Sequence, residues 1–134
     1  VLDTVQVADD SMFAAEESIR DIFMKADGLP AVMVCLNERN TTCVYQTVVD
    51  YNKVGQVEII GYYASDTILS AIEKEIIYST ISIDTKQMGE YCVEALNEYI
   101  QSGHVSDYYG VDVSLINAEN LPDSEGGGND EEIE

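Results

Sequence analysis

Apolar and polar positions between residues 57 and 89 switch twice from strand-like to helix-like spacing. A β-branched run that begins at Val57 stops at Gly61, and a short turn leads into a helix with an apolar face at Ile68, Leu69 and Ile72. A second run, 76–83, has the pattern of a buried strand, and Asp84 then lies three residues before Gln87 in a capping-box arrangement. This spacing predicts a βαβα unit with parallel strands.

The residues before this unit predict a strand followed by a helix. Weak alternation over 2–8 indicates a first strand with its core at 4–7. Three polar residues then offer helix caps: Asp9, Asp10 and Ser11. One face of the helix that follows is apolar, at Ala15, Ile19, Ile22, Phe23 and Ala26. This helix must end near Asp27, because Gly28 and Pro30 follow.

Two further helices and one strand complete this pattern. The run 31–36 (AVMVCL) is continuously apolar, as expected of a strand covered on both faces, and it ends at Asn37. A stripe of Val44, Thr47, Val48 and Tyr51 predicts a helix over 41–51. The clearest helix runs from 85 to Gly103, with an apolar face at Met88, Tyr91, Cys92, Ala95, Leu96 and Tyr99.

The last strand and the tail define the extent of the domain. Alternation over 110–116 predicts a strand with one exposed face, as at a sheet edge. From residue 123 the chain is glycine-rich and acidic, which predicts a solvated tail over 123–134. We therefore predict one α/β domain over 1–122: three layers, with a mostly parallel, doubly wound sheet of about five strands and flanking helices.

Charge excludes several kinds of partner. The 134 residues include 26 acidic and six basic residues, for a formal net charge of −20. Phosphate backbones and anionic lipid would repel such a chain, so we expect neither nucleic-acid binding nor direct membrane binding. Three cysteines, Cys35, Cys43 and Cys92, show no metal-binding spacing and are expected to be buried, inert thiols.

In the order β-α-β-α-β-α-β-α-β, the chain resembles the C-terminal half of type 1 periplasmic sugar-binding proteins, such as ribose-binding protein, and of lactose-repressor-like effector domains. The matching motifs are Asn37-Glu38 after an apolar strand, VGQV at 54–57 with IGY at 60–62, AIE at 71–73 with Ile77, STIS at 79–82, QMG at 87–89 and the strand 111–116. The similarity extends from about Leu2 to Leu121. The order and spacing of these motifs, taken together, carry the resemblance.

The resemblance implies a two-lobed protein of about twice this length, of which this chain is one lobe. The segment 85–103 would then pack on a missing second lobe, because relatives leave this lobe near Asp84. It also implies an extracytoplasmic bacterial protein that binds a sugar or sugar-like ligand by hinge closure. Its partners would be a complementary N-terminal lobe or chain and an ABC transporter permease or membrane sensor.

Candidate ligand-binding residues follow the predicted strands, since open parallel sheets bind ligands beyond their carboxyl ends. Asn37 matches the ligand-binding Asn of the family, with a helix cap as the alternative, and Glu38 follows it where the family usually has Asp. Tyr63 stands where many relatives have a ligand-binding Asp, so it would stack on a ring or pack on the lobe surface. Phe13 lies near a position where relatives place an aromatic over the sugar, with packing in the core or on the surface as the alternative. Asp84 is a hinge cap or a ligand contact.

Other functions are weighed against this one. An effector half of a lactose-repressor-type regulator would need a basic DNA-binding segment, and the acidity here counts against it. A response-regulator receiver would match Asp9-Asp10. Such domains also need an Asp after the third strand and a Lys after the fifth. Here the third strand ends in GYY and no Lys follows Ile116. Nucleophile-elbow, P-loop and dinucleotide motifs are absent from the sequence, so we expect no enzyme activity and no cofactor.

Overall fold

The computed structural model describes residues 3–7, 11–24 and 28–122. Its elements, in chain order, are α1 (Met12–Met24), β1 (Val32–Val34), α2 (Glu38–Asp50), β2 (Glu58–Tyr62), α3 (Asp66–Glu73), β3 (Ser79–Ile83), α4 (Thr85–Ser102) and β4 (Val113–Asn117). The predicted helices and the last four predicted strands are therefore confirmed in type, and β1, β3 and β4 are shorter than predicted. The predicted tail at 123–134 lies outside the described residues.

The strands form one mixed sheet in the order β1-β2-β3-β4. The neighbours β1 and β2 are parallel, as are β2 and β3, while β4 runs antiparallel to β3 along the edge. The helical crossovers α2 and α3 connect the parallel strands, as the sequence spacing predicts. The sheet thus has four strands in the described part of the chain, where the sequence predicts about five.

The predicted first strand is not formed. Residues 3–7 have no strand pairing, and Leu2 and Ala8 lie outside the described residues. A strand exists only where a neighbour accepts its ladder hydrogen bonds, so a strand-like pattern alone is insufficient. Of the three proposed helix caps, Asp9 and Asp10 also lie outside the described residues, whereas the Ser11 hydroxyl accepts a hydrogen bond from the Ala14 N–H at 3.1 Å.

The hydrophobic core lies on one side of the sheet. Helices α1, α2 and α3 cover this side, and their buried side chains meet alternate residues of the strands. The core consists of Ala15, Ile19, Cys35, Cys43, Val44, Val48, Val57, Ile59, Ile68, Ala71, Ile72 and Ile77. The helix stripes predicted from sequence supply most of it, because residues three and four apart share one helix face.

Helix α4 differs from the other three. It spans 18 residues, begins at the Asp84 cap and ends at Gly103 in the left-handed conformation, yet none of its residues is buried. Two of the predicted inert thiols, Cys35 and Cys43, are buried in the core, but Cys92 on α4 is exposed, which corrects that expectation. Helix α4 therefore presents its apolar residues to solvent. None of the helices in the described ranges is long and apolar enough to cross a membrane.

Candidate ligand-binding site

Three of the predicted site residues follow parallel strands at one edge of the sheet. The register pairs Val34 with Ile60 and Tyr62 with Ile81, so β1, β2 and β3 end on the same side. Asn37, Tyr63 and Asp84 lie just beyond these three ends. We call this edge the carboxyl rim. Parallel pairing of the strands is the condition on which a shared site at this edge depends.

Asn37 is the N-cap of α2. Its backbone is extended, and its side-chain oxygen accepts a hydrogen bond from the Asn40 N–H at 2.8 Å. Asn37 thus caps α2, as the alternative prediction for this residue stated. Asn37 is exposed, and the cap uses only its amide oxygen, so the cap leaves the NH₂ group available as a hydrogen-bond donor.

A buried threonine on α2 links two of the rim loops. The Thr41 hydroxyl donates to the Asn37 carbonyl at 2.8 Å and accepts from the Tyr62 N–H at 3.0 Å. This contact requires glycine at position 61, because a Cβ atom there would lie 2.6 Å from Thr41 Cγ2. The sequence pattern predicted that the strand stops at Gly61. Instead, Gly61 lies inside β2 and allows α2 to approach this strand closely.

Tyr63 has an unusual backbone conformation at the end of β2. Its φ angle is +81°, a region that costs a non-glycine residue about 1–2 kcal/mol. Two contacts hold it there: the Tyr63 N–H donates to the Ile81 carbonyl at 2.7 Å, and the Tyr63 carbonyl accepts from the Thr80 hydroxyl at 2.7 Å. Strained backbone of this kind is often found at functional sites, where the surrounding contacts hold it. Tyr63 is 39% exposed at the rim.

Asp84 caps α4 and is tied to the last strand. Its carboxylate accepts from the Gln87 N–H at 2.9 Å, and its own N–H donates to the Asp112 carbonyl at 3.0 Å. The Gln87 side chain bonds Asp112 and does not return to Asp84, so the capping box is only half formed. Asp84 therefore makes the hydrogen bond of a helix cap, which is one of the two roles predicted for it.

The other two predicted residues differ in position. Glu38 lies in the first turn of α2, directly after Asn37, and its side chain is exposed. Phe13 lies in the first turn of α1 and is 69% exposed, so it is not a core residue. The structure thus places Glu38 at the rim with Asn37, while Phe13 is available on a separate helix.

Sequence reasoning missed the two threonines that hold the rim. Thr41 and Thr80 are both fully buried, and each hydroxyl bonds a rim loop. The pattern Asn40-Thr41-Thr42 matches an N-glycosylation acceptor, but these residues lie inside helix α2. A glycine inside a strand was the available signal, since it indicates a close approach by a neighbouring element.

Burial also sets the chemistry of the thiol beside Thr41. It raises the pKa of Cys35 from 9.0 to about 11, and a hydrogen bond with the Thr41 side chain opposes part of that rise. Burial likewise raises the pKa of Cys43. Both thiols are therefore protonated and unreactive near neutral pH. Within 3–7, 11–24 and 28–122, no group of three or more His, Cys, Asp or Glu residues could hold a metal ion.

Solved structures of sugar-binding proteins have the same fold as this chain. A solute-binding protein of an ABC transporter from Agrobacterium vitis, bound to α-D-tagatopyranose, superposes with a TM-score of 0.79 at 16% identity over 89% of this chain and 40% of that one. The glucose-galactose binding protein GanP from Geobacillus stearothermophilus gives 0.75 at 18% identity over 84% and 40%. The chain has the fold of one lobe of a periplasmic binding protein.

The periplasmic-binding-protein-like lobe also matches the protein in the XylFII-LytSN complex, with a TM-score of 0.70 at 24% identity over 83% of this chain and 38% of that one. The chain thus spans about two fifths of the length of these structures. Neither a protein-family model nor a curated protein sequence matches it at a significant level. The prediction that the chain has the fold of one lobe is confirmed.

Proposed function

We propose that this chain is the ligand-binding lobe of an extracytoplasmic solute-binding protein for a sugar or sugar-like molecule. The observation that carries the proposal is the carboxyl rim: three parallel strands end together, and buried threonine hydroxyls hold the loops that carry Asn37 and Tyr63. The structural neighbours include proteins solved with bound sugars, which supports this class of ligand. The proposed mechanism is hinge closure, in which the ligand stabilises the closed form by contacting both lobes.

Each rim residue has a separate proposed role. The Asn37 amide donates hydrogen bonds to ligand hydroxyls, and the Glu38 carboxylate accepts from a neighbouring hydroxyl. The Tyr63 ring stacks on the C–H face of the sugar, with Phe13 as a second aromatic on α1. Asp84 contacts the ligand or caps the hinge helix, at the point where the chain enters α4.

Helix α4 is proposed to pack on the second lobe. Its exposed apolar residues include Met88, Val93, Leu96, Tyr99 and Ile100, although the helix has a well-formed cap at each end. Such a large apolar patch on a helix indicates a partner surface. The lobe would be residues 1–122, with 85–103 contributing the contact to the complementary N-terminal lobe or chain.

The protein downstream of the lobe is proposed to be an ABC transporter permease or a membrane sensor of a bacterium. Transport is supported by the ABC-transporter solute-binding proteins among the neighbours, and a signalling partner by the XylFII-LytSN complex. The second candidate function is the effector half of a lactose-repressor-type regulator. A net charge of −20 disfavours that candidate, because DNA would repel the chain.

A thermal-shift screen against monosaccharides and inositols tests the proposal on the intact gene product. We expect at least one sugar to raise the melting temperature, since a ligand that binds only the native state stabilises it. The informative variant is Asn37→Ser, which keeps an oxygen that can cap α2 and removes the amide donors. It should abolish the shift with little change in the melting temperature of the free protein.

Gln46→Ala provides the matched control, because Gln46 is on α2 but its exposed side chain bonds only Asp50 one turn later. This variant should retain the full ligand-induced shift. If no sugar changes the melting temperature, the ligand class is wrong. A sugar-induced shift that survives Asn37→Ser unchanged would show that the ligand binds away from the carboxyl rim.

A further inference from the structure

The side chains of the carboxyl rim change in chemistry from one strand end to the next. Just beyond β1 they are hydrogen-bonding groups, since Asn37 and Glu38 are both exposed there. Just beyond β2 the exposed side chain is Tyr63, and β3 ends with Ile83, which is half-buried. The rim thus offers an amide and a carboxylate at one end, and an aromatic ring and an aliphatic side chain at the other.

The polar groups next to the ends of β2 and β3 are already used or buried. The Thr80 hydroxyl donates to the Tyr63 carbonyl at 2.7 Å, and the Asp84 carboxylate caps α4 through a hydrogen bond of 2.9 Å. The hydroxyl oxygen of Ser65, two residues after Tyr63, is buried. These two strand ends therefore present a ligand mainly with the Tyr63 ring and the Ile83 side chain.

The backbone of Tyr63 shows that this ring is held at the rim against a conformational preference. Its φ angle of +81° is rare for a bulky residue, whereas glycine adopts such angles freely. Strain of this kind persists only where surrounding contacts impose it, and it is concentrated at active sites and ligand clamps. An aromatic ring in this position is therefore expected to contact a ligand.

The separation of the two ends of the rim restricts the kind of ligand. Neighbouring strands lie about 4.8 Å apart, so the ends of β1 and β3 are separated by roughly 10 Å. A ligand that contacts both ends must carry hydroxyl groups on one part and an apolar ring on another. We infer that this lobe is specific for a sugar joined to an aromatic ring, as in an aryl glycoside or a nucleoside. The sugar hydroxyls bind Asn37 and Glu38, and the aromatic ring packs on Tyr63 and Ile83.

This inference rests on the proposed function, because it narrows the ligand class of the same rim, and it assigns the Tyr63 ring to the aromatic group instead of the C–H face of the sugar. Calorimetric titration of the intact gene product with matched ligands tests it. Each comparison sets a free sugar against the same sugar with an aromatic group: D-glucose against phenyl β-D-glucopyranoside, D-xylose against phenyl β-D-xylopyranoside, and D-ribose against adenosine and uridine. The first two comparisons report on aryl glycosides and the third on nucleosides.

In at least one comparison the aromatic ligand should bind about tenfold more tightly than the free sugar, as expected for one ring stacked on an aromatic side chain. Tyr63→Leu keeps an apolar side chain without the ring, so this affinity ratio should fall by about fivefold, and Tyr63→Phe should restore most of it. If Tyr63→Leu does not fold, Tyr63→Gly removes the ring and the backbone strain together. The matched control is Tyr78→Leu, because Tyr78 is 61% exposed just before β3, at the end of that strand away from the rim. It should leave the ratio unchanged.

Three results would overturn the inference, and they separate it from the proposed function. A free sugar that binds as tightly as the same sugar with its aromatic group would overturn the inference and leave the proposed function in place. An advantage of the aromatic ligand that survives Tyr63→Leu would mean that the aromatic group binds away from the carboxyl rim. If neither the free sugars nor the aromatic ligands bind, the proposed function is wrong and the inference fails with it.

Discussion

The two faces of the sheet are built from similar residues but have opposite environments. Ile59 and Ile60 are adjacent in β2, and one is fully buried under α2 and α3 while the other is only partly covered. The valines of β1 show the same contrast with Cys35, which is buried in the core. Apolar content alone therefore does not decide burial in this chain. The position of the three packed helices decides it.

The largest difference between the faces should appear on truncation of β-branched side chains. Ile59→Ala removes a fully buried side chain, so the free energy of unfolding should fall by about 2–5 kcal/mol. Val34→Ala removes an exposed one, and the free energy should change by less than about 0.5 kcal/mol. Urea denaturation of the 134-residue chain measures both. Equal losses would show that the Val34 side chain is buried in solution.

Stability at high pH should depend on the buried thiol of the covered face. The pKa of Cys35 rises from 9.0 to about 11 on folding, so the folded state holds its proton more tightly. The contribution of this proton to the free energy of unfolding is complete below pH 9. It is lost as the pH rises through 11, which lowers the free energy of unfolding by about 3 kcal/mol. Urea denaturation between pH 8 and 11 measures the decline. Cys35→Ala should make the decline shallower, and an identical pH profile would contradict the assignment.

Gly61→Ala tests how tightly α2 packs on the covered face. The added Cβ would lie 2.6 Å from Thr41 Cγ2, so we expect a loss of about 1–3 kcal/mol in the free energy of unfolding. Thr41→Ser removes that methyl group and keeps the hydroxyl that bonds Tyr62. A double-mutant cycle should therefore show partial rescue. If the two effects are additive, the close approach of α2 and β2 is not the cause.

The smallest expected effect concerns the strained residue of the carboxyl rim. Glycine normally destabilises a strand end relative to alanine, but Tyr63 has a φ angle of +81°, where alanine is strained and glycine is not. Tyr63→Gly should therefore be more stable than Tyr63→Ala by about 1 kcal/mol. Thermal denaturation of the two variants measures the difference. The usual order, with alanine more stable, would mean that the loop relaxes when the ring is removed.

Sequence patterns predicted the helices well because their stripes and caps are local. Asn37 and Asp84 act as caps three residues before their partners, and Gly103 ends α4, as their spacing predicts. The predicted strand over 2–8 failed for a different reason. Its pattern is correct for a strand, but pairing requires a neighbour that local sequence cannot supply. The rim threonines were missed because their partners lie 17 and 21 residues away along the chain.

The sequence by itself determined the order of helices and strands, the parallel βαβα unit and the positions of Asn37, Tyr63 and Asp84 after strand ends. These features depend on periodicity, caps and turns within short windows. Only the tertiary structure decided that Thr41 and Thr80 hold the rim, that Tyr63 is strained and that Ile59 is buried while Val34 is exposed. Each of these depends on contacts between segments far apart in the chain, where packing and not local preference fixes the geometry.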